Sequence, residues 1–283
     1  MGHPALKLID VCVNLLNSQF NNDREAVLKR AAEAGVSGIL VVATDLAAST
    51  AAIESVAANH ASSNSPRLLA TAGIHPHDVA ELPPDWQVQL ATLAHQPEVC
   101  AVGETGLDFY RNFSPRDAQI NAFAQQIALA VNLQKPLFVH DRESDGEVLR
   151  QLQQHTPLPP VLIHCFTGTG DELEAYLAAG FSIGITGWIA DERRGQNLRE
   201  LIRQIPLERL VIETDAPFLK PHNAPGNFLM QHNLPGRLKR RNEPALLGSV
   251  LTAIAALREE STEDIARATT ANAQRLFGFS DPA

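Results

Sequence analysis

Eight short apolar runs, each followed by a stretch with helical spacing, recur along the chain, and no other feature limits its fold as tightly. They are KLIDVCVNL (7–15), GVSGILVVAT (35–44), RLLATAGIHP (67–76), VCAVGETGLD (99–108), KPLFVHDR (135–142), PVLIHCFT (160–167), FSIGITG (181–187) and RLVIETDAP (209–217). Runs of this length bounded by turn residues read as strands, and near-continuous apolarity reads as strands covered on both faces. Strands that alternate with helices pair in parallel through crossover connections. The expected architecture is therefore α/β, a closed (β/α)8 TIM barrel. An open doubly wound sheet would carry a glycine-rich fingerprint after its first strand, and VNLLNSQF is no such fingerprint. No repeat, low-complexity tract or linker divides the chain, so residues 1–283 are read as a single domain.

Between the runs lie amphipathic segments. In SPRDAQINAFAQQIALAVNL, Ser114 is placed to cap a helix, Pro115 to occupy its first position and Asp117 to meet the positive end of its dipole. Ile120, Phe123, Ile127 and Ala130 then form a buried stripe. DREAVLKRAAEAG ends in Gly35, a helix stop. Segments near 46–60, 85–95, 145–154, 170–179 and 191–204 read as helices, and two more near 243–257 and 262–276 close the barrel or pack outside it.

Composition excludes some functions. Of 283 residues 45% are hydrophobic, enough for a large core, and the net charge of −9 argues against a general nucleic-acid coat. Cys12, Cys100 and Cys165 are few, odd in number and set in apolar runs, which predicts reduced thiols in the cytosol. No run of 18 apolar residues is available to span a membrane. MGHPALKLID lacks a hydrophobic signal core, and Leu6 stands where a myristoylation signal wants Ser or Thr.

The ionisable residues gather where the strands end, which is where a barrel of this kind places its active site. The first strand offers Asp10 and Asn14, the second Thr44 and Asp45, and the third His75 and His77. The fourth gives Glu104 and Asp108, the fifth His140, the sixth His164 and the eighth Asp215. The seventh ends in Gly187 and Trp188, with nothing ionisable before Asp191. Imidazoles and carboxylates that converge on one mouth make a metal site suited to Zn2+, Mn2+, Fe2+ or, less well, Mg2+. Such an ion polarises a phosphoryl or carbonyl oxygen and generates hydroxide, with Asp215 as the base that takes the water's proton. A single histidine of this kind is more often structural than a ligand, and Glu104 or Asp215 alone reads equally as a helix cap or a partner of Arg142. Charge at four strand ends together is hard to obtain from core packing. His3, His60, His95 and His155 read as solvated, and the cysteines as small core residues.

At these residues the sequence resembles the TatD family of metal-dependent hydrolases, among the amidohydrolase-like barrels. GIHPH, GETGLDF, HDR, HCFTG, GITGWIADERRG, IETDAPFL and RRNEPA stand in the family's order, from DVCVNLLNSQF to ANAQRLFG. The first segment is similar to the bacterial TatD branch. The resemblance implies a cytoplasmic, metal-dependent 3′-5′ exonuclease that hydrolyses phosphodiester bonds with preference for single-stranded DNA, and the choice between DNA and RNA stays open. Some relatives are linked to RNA trimming and to DNA repair. It implies Glu104, His140, His164 and Asp215 as metal ligands, with Glu104 and Asp215 catalytic. It implies His75 and His77 as contacts to phosphate, and Arg142 and Glu213 as residues that orient ligands. Mg2+ is expected in activity, with Zn2+ or Mn2+ able to occupy the site, and the protein is expected to be a monomer. One departure stands out. The wider family's first strand carries D-x-H-x-H, and here Asp10, Val11, Cys12, Val13 and Asn14 occupy that stretch. One firm site is therefore expected, with Asp10 helping a second ion to load weakly and Cys12 staying out of ligation.

A negative protein holds a polyanion locally. The most basic run, GRLKRRNEP, brings Arg237, Lys239, Arg240 and Arg241, and reads equally as a phosphate grip or a solvated loop. In DFYRNF, Phe109, Tyr110, Arg111 and Phe113 follow Glu104. Aromatics beside arginine suit stacking of unpaired bases, while at least one of the two phenylalanines is expected to fill the core. Trp188 and Phe166 read either way. Two rival readings remain open: a metal-dependent hydrolase of small esters, lactones or amides, and a nucleic-acid-binding barrel weakened in catalysis by its altered first strand.

Overall fold

A computed structural model describes residues 7–59 and 65–279. His3, His60 and Leu6 lie outside the described residues. Eight parallel strands follow one another in chain order: β1 (Leu8–Val13), β2 (Val36–Val41), β3 (Arg67–Ala72), β4 (Val99–Asp108), β5 (Leu137–Arg142), β6 (Val161–His164), β7 (Ser182–Ile185) and β8 (Leu210–Ile212). Helices α1 (Arg24–Glu33), α2 (Leu46–Asn59), α3 (Trp86–Ala94), α4 (Arg116–Leu133), α5 (Glu147–Gln153), α6 (Gly170–Ala178) and α7 (Gln196–Leu201) fill the crossovers. After β8 come the short α8 (Phe228–Gln231), then α9 (Leu247–Ala255) and α10 (Thr262–Phe277). β8 returns to β1 through a parallel bridge between Val13 and Ala216. Two backbone bonds secure it, Asn14 N–H to Ala216 O at 2.8 Å and Asp215 N–H to Cys12 O at 3.0 Å. All eight strands stand where the sequence predicts them, as a TIM barrel.

Side-chain alternation divides the apolar residues into two cores. Residues of one parity, such as Ile39, Val41, Leu68 and Ile163, pack outward with the helices. Residues of the other parity, Ile9, Val11, Leu40, Leu69, Ala101, Phe138, Leu162 and Val211, share a separate cluster with Phe277 and Phe279. That cluster fills the barrel, and the chain after α10 plugs its lower end. A Cβ on Gly38 would lie 2.9 Å from the Phe279 ring, so the plug requires glycine there.

Several strands are shorter at their C-terminal ends than the runs that foretell them. β8 covers three residues and β6 four, because the following residues leave the ladder to carry the mouth. β4 keeps all ten. Gly106 (φ +133°) brings it against β5, where a Cβ would collide with the His140 carbonyl oxygen. Ser114 does not cap α4. Its hydroxyl donates to the His77 carbonyl at 2.8 Å, and Pro115 takes the cap position. The predicted stripe on α4 is wider than expected, since Gln119 and Gln126 are buried and Ile120 only partly so. The segment 191–204 is not one helix, because Asp191 turns the chain by accepting from the backbone N–H groups of Arg193 and Arg194 before α7 starts at Gln196.

Candidate active site

The mouth is built strand by strand. After β3 the chain is clamped by Gln126, whose amide accepts from Ile74 N–H at 2.8 Å and donates to Ile74 O at 3.0 Å. His75 N–H bonds the Thr44 carbonyl at 2.8 Å, which ties the β3 loop to the end of β2. The His75 Nδ1 accepts from His77 N–H at 3.1 Å. In the neutral ring that bond leaves the proton on Nε2, which faces Glu104 Oε1 at 3.4 Å. His75 is thus a donor directed at the site, although it stands within ligand distance of Glu104 and His140.

Three imidazole nitrogens converge on Glu104 Oε1: His140 Nδ1 at 2.9 Å, His75 Nε2 at 3.4 Å and His164 Nε2 at 3.8 Å. His164 Nδ1 donates to Glu213 Oε2 at 2.9 Å, which orients the ring, and once the second proton is displaced Nε2 is left as the lone pair that faces the site. The other Glu213 oxygen accepts from Cys165 N–H. Beyond, Asn14 Nδ2 donates to Asp215 Oδ1 at 2.9 Å and Cys12 Sγ lies 3.6 Å from that oxygen. The donors of Cys12, His164 and Asp215 lie within 4.8 Å of one another, as do those of His75, Glu104 and His140. The sequence foretells one set; the structure forms two adjoining groups, because the β1 ladder slips between Asp10 and Val13 and brings Cys12 in beside Val11 rather than on the opposite face.

Asp108 is a site residue to which the sequence reading assigned no role. Its Oδ2 lies 2.7 Å from His77 Nε2 and 3.5 Å from His140 Nε2, and Oδ1 accepts from Arg111 N–H at 2.7 Å. Buried Gln119 holds the Asp108 backbone at both N–H and C=O. The available signal was period two along β4, which puts Glu104, Gly106 and Asp108 on one face.

Other expectations are corrected. Asp10 belongs to neither ligand group, and Thr214 N–H and Oγ1 bond its two oxygens at 2.9 and 2.6 Å, which ties it to the chain just after β8. Arg142 stands at the far end of β5 with its guanidinium over the Tyr110 ring at 4.1 Å. Arg241 leaves the basic run as a candidate grip. It is buried, with its guanidinium on Asp23 and Glu243, and Glu243 also holds Arg30. Arg237, Lys239 and Arg240 are exposed.

The loop after β4 forms an exposed shelf. Tyr110 is 55% and Phe113 65% exposed, and Phe113 rests on the His77 ring with centroids 4.7 Å apart. Arg111 stands over the other side of the Tyr110 shelf at 6.0 Å. Phe109 packs against the core under Arg116, and Phe166 is buried. Trp188 lies half-buried under Arg194.

Burial works against charge throughout this cluster, and the carboxylates prevail over it at two imidazoles. Burial lowers His140, but its bonds to Asp108 and Glu104 lift it to about 9. Burial likewise lowers His164, but the charges of Glu213 and Glu104 lift it to about 10. Burial would raise Glu104, yet His75, His164 and His140 hold it well below the usual carboxylate range. Burial lifts Asp215 to about 7, with Glu104 and Glu213 adding to the rise and His164 opposing it. Burial lifts Asp10 to about 8. Protons on His140 and His164 offset the clustered negative charge where a divalent cation would do so better. The nitrogen and oxygen donors fit such an ion, with Glu104, His140 and His164 as the nearest set and Asp215 beside it.

The family model for TatD related DNases matches residues 9–278. A protein from Erwinia billingiae named 3′-5′ ssDNA/RNA exonuclease TatD is 44% identical over 272 residues, covering 95% of this chain and 98% of its own. Its namesake from Erwinia amylovora is 45% identical over 273 residues, covering 96% and 100%. Among solved structures, YJJV, a TatD homologue from Escherichia coli, superimposes with a TM-score of 0.85 at 28% identity over 98% of this chain and 100% of that one.

Proposed function

This chain belongs to the TatD related DNase family, and on that premise we propose that it is a 3′-5′ exonuclease that hydrolyses phosphodiester bonds in single-stranded DNA and RNA. The observation that carries the reading is the convergence of three imidazole nitrogens on Glu104 Oε1 beside Asp215 at the barrel mouth.

Glu104, His140 and His164 would hold a divalent cation, with Mg2+ the ion expected in activity. When bound it polarises the scissile phosphoryl group and acidifies the attacking water. The remaining work falls to the chain. Asp215, raised to about 7, takes the proton of the water. His75 donates from Nε2 to a phosphate oxygen, and His77 stands beside it, held through Nε2 by Asp108. Glu213 keeps His164 Nδ1 protonated so that Nε2 faces the ion. The Tyr110–Phe113 shelf, with Arg111 and Arg142, stacks unpaired bases next to His77. Such a shelf suits a single strand and favours a nucleic acid over a small ester or lactone. The protein works as a monomer in the cytoplasm, with DNA repair as one setting. Among the described residues no helix is long and apolar enough to cross a membrane.

The test is metal content of the purified protein together with digestion of a 3′-labelled single strand. Bound divalent metal and stepwise release of mononucleotides from the 3′ end are expected. Turnover of a lactone panel without release of nucleotides would overturn the proposal.

A further inference from the structure

We propose that Cys12, His164 and Asp215 form a thiophilic cation position on the β1–β8 side of the mouth, which selects ions of the Zn2+ and Co2+ class and excludes Mg2+. It rests on the metal-hydrolase reading above and adds to it a determinant of which metals the site accepts.

Three observations carry it. Cys12 is fully buried, yet its Sγ is turned onto the mouth, 3.6 Å from Asp215 Oδ1 and within 4.8 Å of the His164 donor. The His164 Nδ1 bond to Glu213 leaves Nε2 as a lone pair for an ion. Asn14, two residues on, faces the same Asp215 oxygen with its amide, so it fixes the carboxylate and adds no strong donor of its own. The result is one sulfur, one imidazole nitrogen and one carboxylate oxygen around a common point. Sulfur with nitrogen suits borderline ions such as Zn2+ and Co2+, whereas Mg2+ wants an all-oxygen octahedron. Burial, with Asp215, Glu213, Glu104 and Asp10 adding to it, pushes the Cys12 thiol up, so its proton leaves only when a thiophilic ion displaces it. The ionic step balances. The Sγ–H bond breaks as the sulfur–metal bond forms, and the proton passes over the 3.6 Å contact to Asp215 and on to water.

The position shares His164 with the hard-ion set and differs from it in the other donors. A hard ion has Glu104 and His140 on the β4–β5 side, and a thiophilic ion is drawn across the mouth to Cys12. Exchange between the two alters the environment of Asp215.

The experiment loads the metal-free full chain with Co2+ and reads its absorption spectrum. A sulfur-to-cobalt charge-transfer band in the near ultraviolet is expected in the unmodified protein, in Cys165→Ser and in His140→Ala. It should be absent in both Cys12→Ser and Cys12→Ala. In competition with a chromophoric chelator, Cys12→Ser should weaken Co2+ and Zn2+ by at least about tenfold, since even a residue behind a ligand is worth that much. Mg2+ affinity should change far less. Cobalt bound to the unmodified protein without the band, or a band that survives both Cys12 variants, overturns the thiolate position and leaves the metal-hydrolase reading intact. A band lost in His140→Ala shows that the sulfur has no position of its own and overturns the proposal. Failure of the unmodified protein to retain cobalt at all overturns both readings.

Discussion

The two flanks of the mouth solve the same problem differently. On the β3–β5 flank, His75, His77, Glu104, Asp108 and His140 are bonded to one another, and buried glutamines on α4 hold their backbones. On the β1–β8 flank a thiol and an amide face Asp215, and the acid on β1 is spent on Thr214. The first flank is organised to hold a cation and a phosphate by donors whose tautomers are set by their neighbours. The second is organised around a single carboxylate that burial keeps near neutrality. On the proposed function, phosphate contacts and proton transfer fall on opposite sides of one barrel end.

The comparison breaks most directly at Asp215. Asp215→Asn keeps the shape and the bond from Asn14 but removes the base, so turnover should fall by about 10² to 10⁴ while folding is little changed. Steady-state rates on single-stranded DNA measure this. A variant near wild-type turnover would move the base to the other flank.

Glu213 joins the flanks, because it stands on β8's end and orients His164. Glu213→Gln weakens the hold on the Nδ1 proton, and roughly 10- to 100-fold should be lost in metal affinity, activity or both. Isothermal titration with Mn2+ against Asp215→Asn sharpens the contrast, since Asp215→Asn should lose more rate than affinity. Equal losses in the two variants would mean that the flanks are not separable.

How far the sequence revealed this arrangement follows from the physics of each part. Parallel strands covered on both faces are continuous apolar runs, so all eight were legible, and an ionisable residue at the end of such a run is conspicuous for the same reason. Glu104, His140, His164 and Asp215 were visible in this way. Gln119 and Gln126 were not, because glutamine on a helix reads as surface until the backbone it bonds is known. Arg241 was misread because its partner Asp23 lies 218 residues away and nothing local marks the pairing. Asp10 was read as a mouth residue because unbroken alternation would put it on the face of Cys12 and Asn14, whereas the ladder slips between Asp10 and Val13 and leaves Asp10 to Thr214.

The aromatic shelf belongs to the first flank, against His77. Replacing Tyr110 and Phe113 together with alanine removes stacking worth about 1–3 kcal/mol per base, so affinity for a single strand should weaken about tenfold or more. Turnover at saturating substrate should change less. Fluorescence anisotropy with a labelled oligonucleotide decides it, and unchanged binding would leave the shelf as surface.

Asp10 tests whether the second flank has a neutral acid beneath it. Burial raises the folded carboxyl to about 8, whereas the unfolded one titrates near the usual value of about 4. Between these pH values the folded state binds the extra proton. Its stabilising contribution is whole below about pH 4 and is lost as pH rises through about 8, with a slope of at most about 1.4 kcal/mol per pH unit. Asp10→Asn removes that slope. The difference between the urea midpoints of metal-free wild type and variant should therefore change steadily from pH 5 to 8, in favour of the variant at high pH. A constant difference would show that the carboxyl is ionised when folded.

The smallest effect expected lies in the basic run beyond β8, where neighbours in sequence have separate roles. Arg237 and Lys239 are exposed on the loop that follows the second flank, while Arg241 is closed inside a cluster with Asp23, Glu243 and Arg30. An exposed cation that meets a phosphate releases a counterion, and for single strands each contact contributes about 0.7 to the slope of log affinity against log salt. Arg237→Gln with Lys239→Gln should flatten that slope by about 1.4 and leave the melting temperature unchanged. Arg241→Gln should do the reverse, lowering the melting temperature by leaving Asp23 and Glu243 with Arg30 alone to offset their charge while keeping the slope. The slope is the discriminating quantity, because affinity at one salt concentration falls for a destabilised protein as well. If Arg241→Gln flattened the slope and the exposed pair did not, the phosphate grip would lie at the buried cluster, and the loop would be solvated surface.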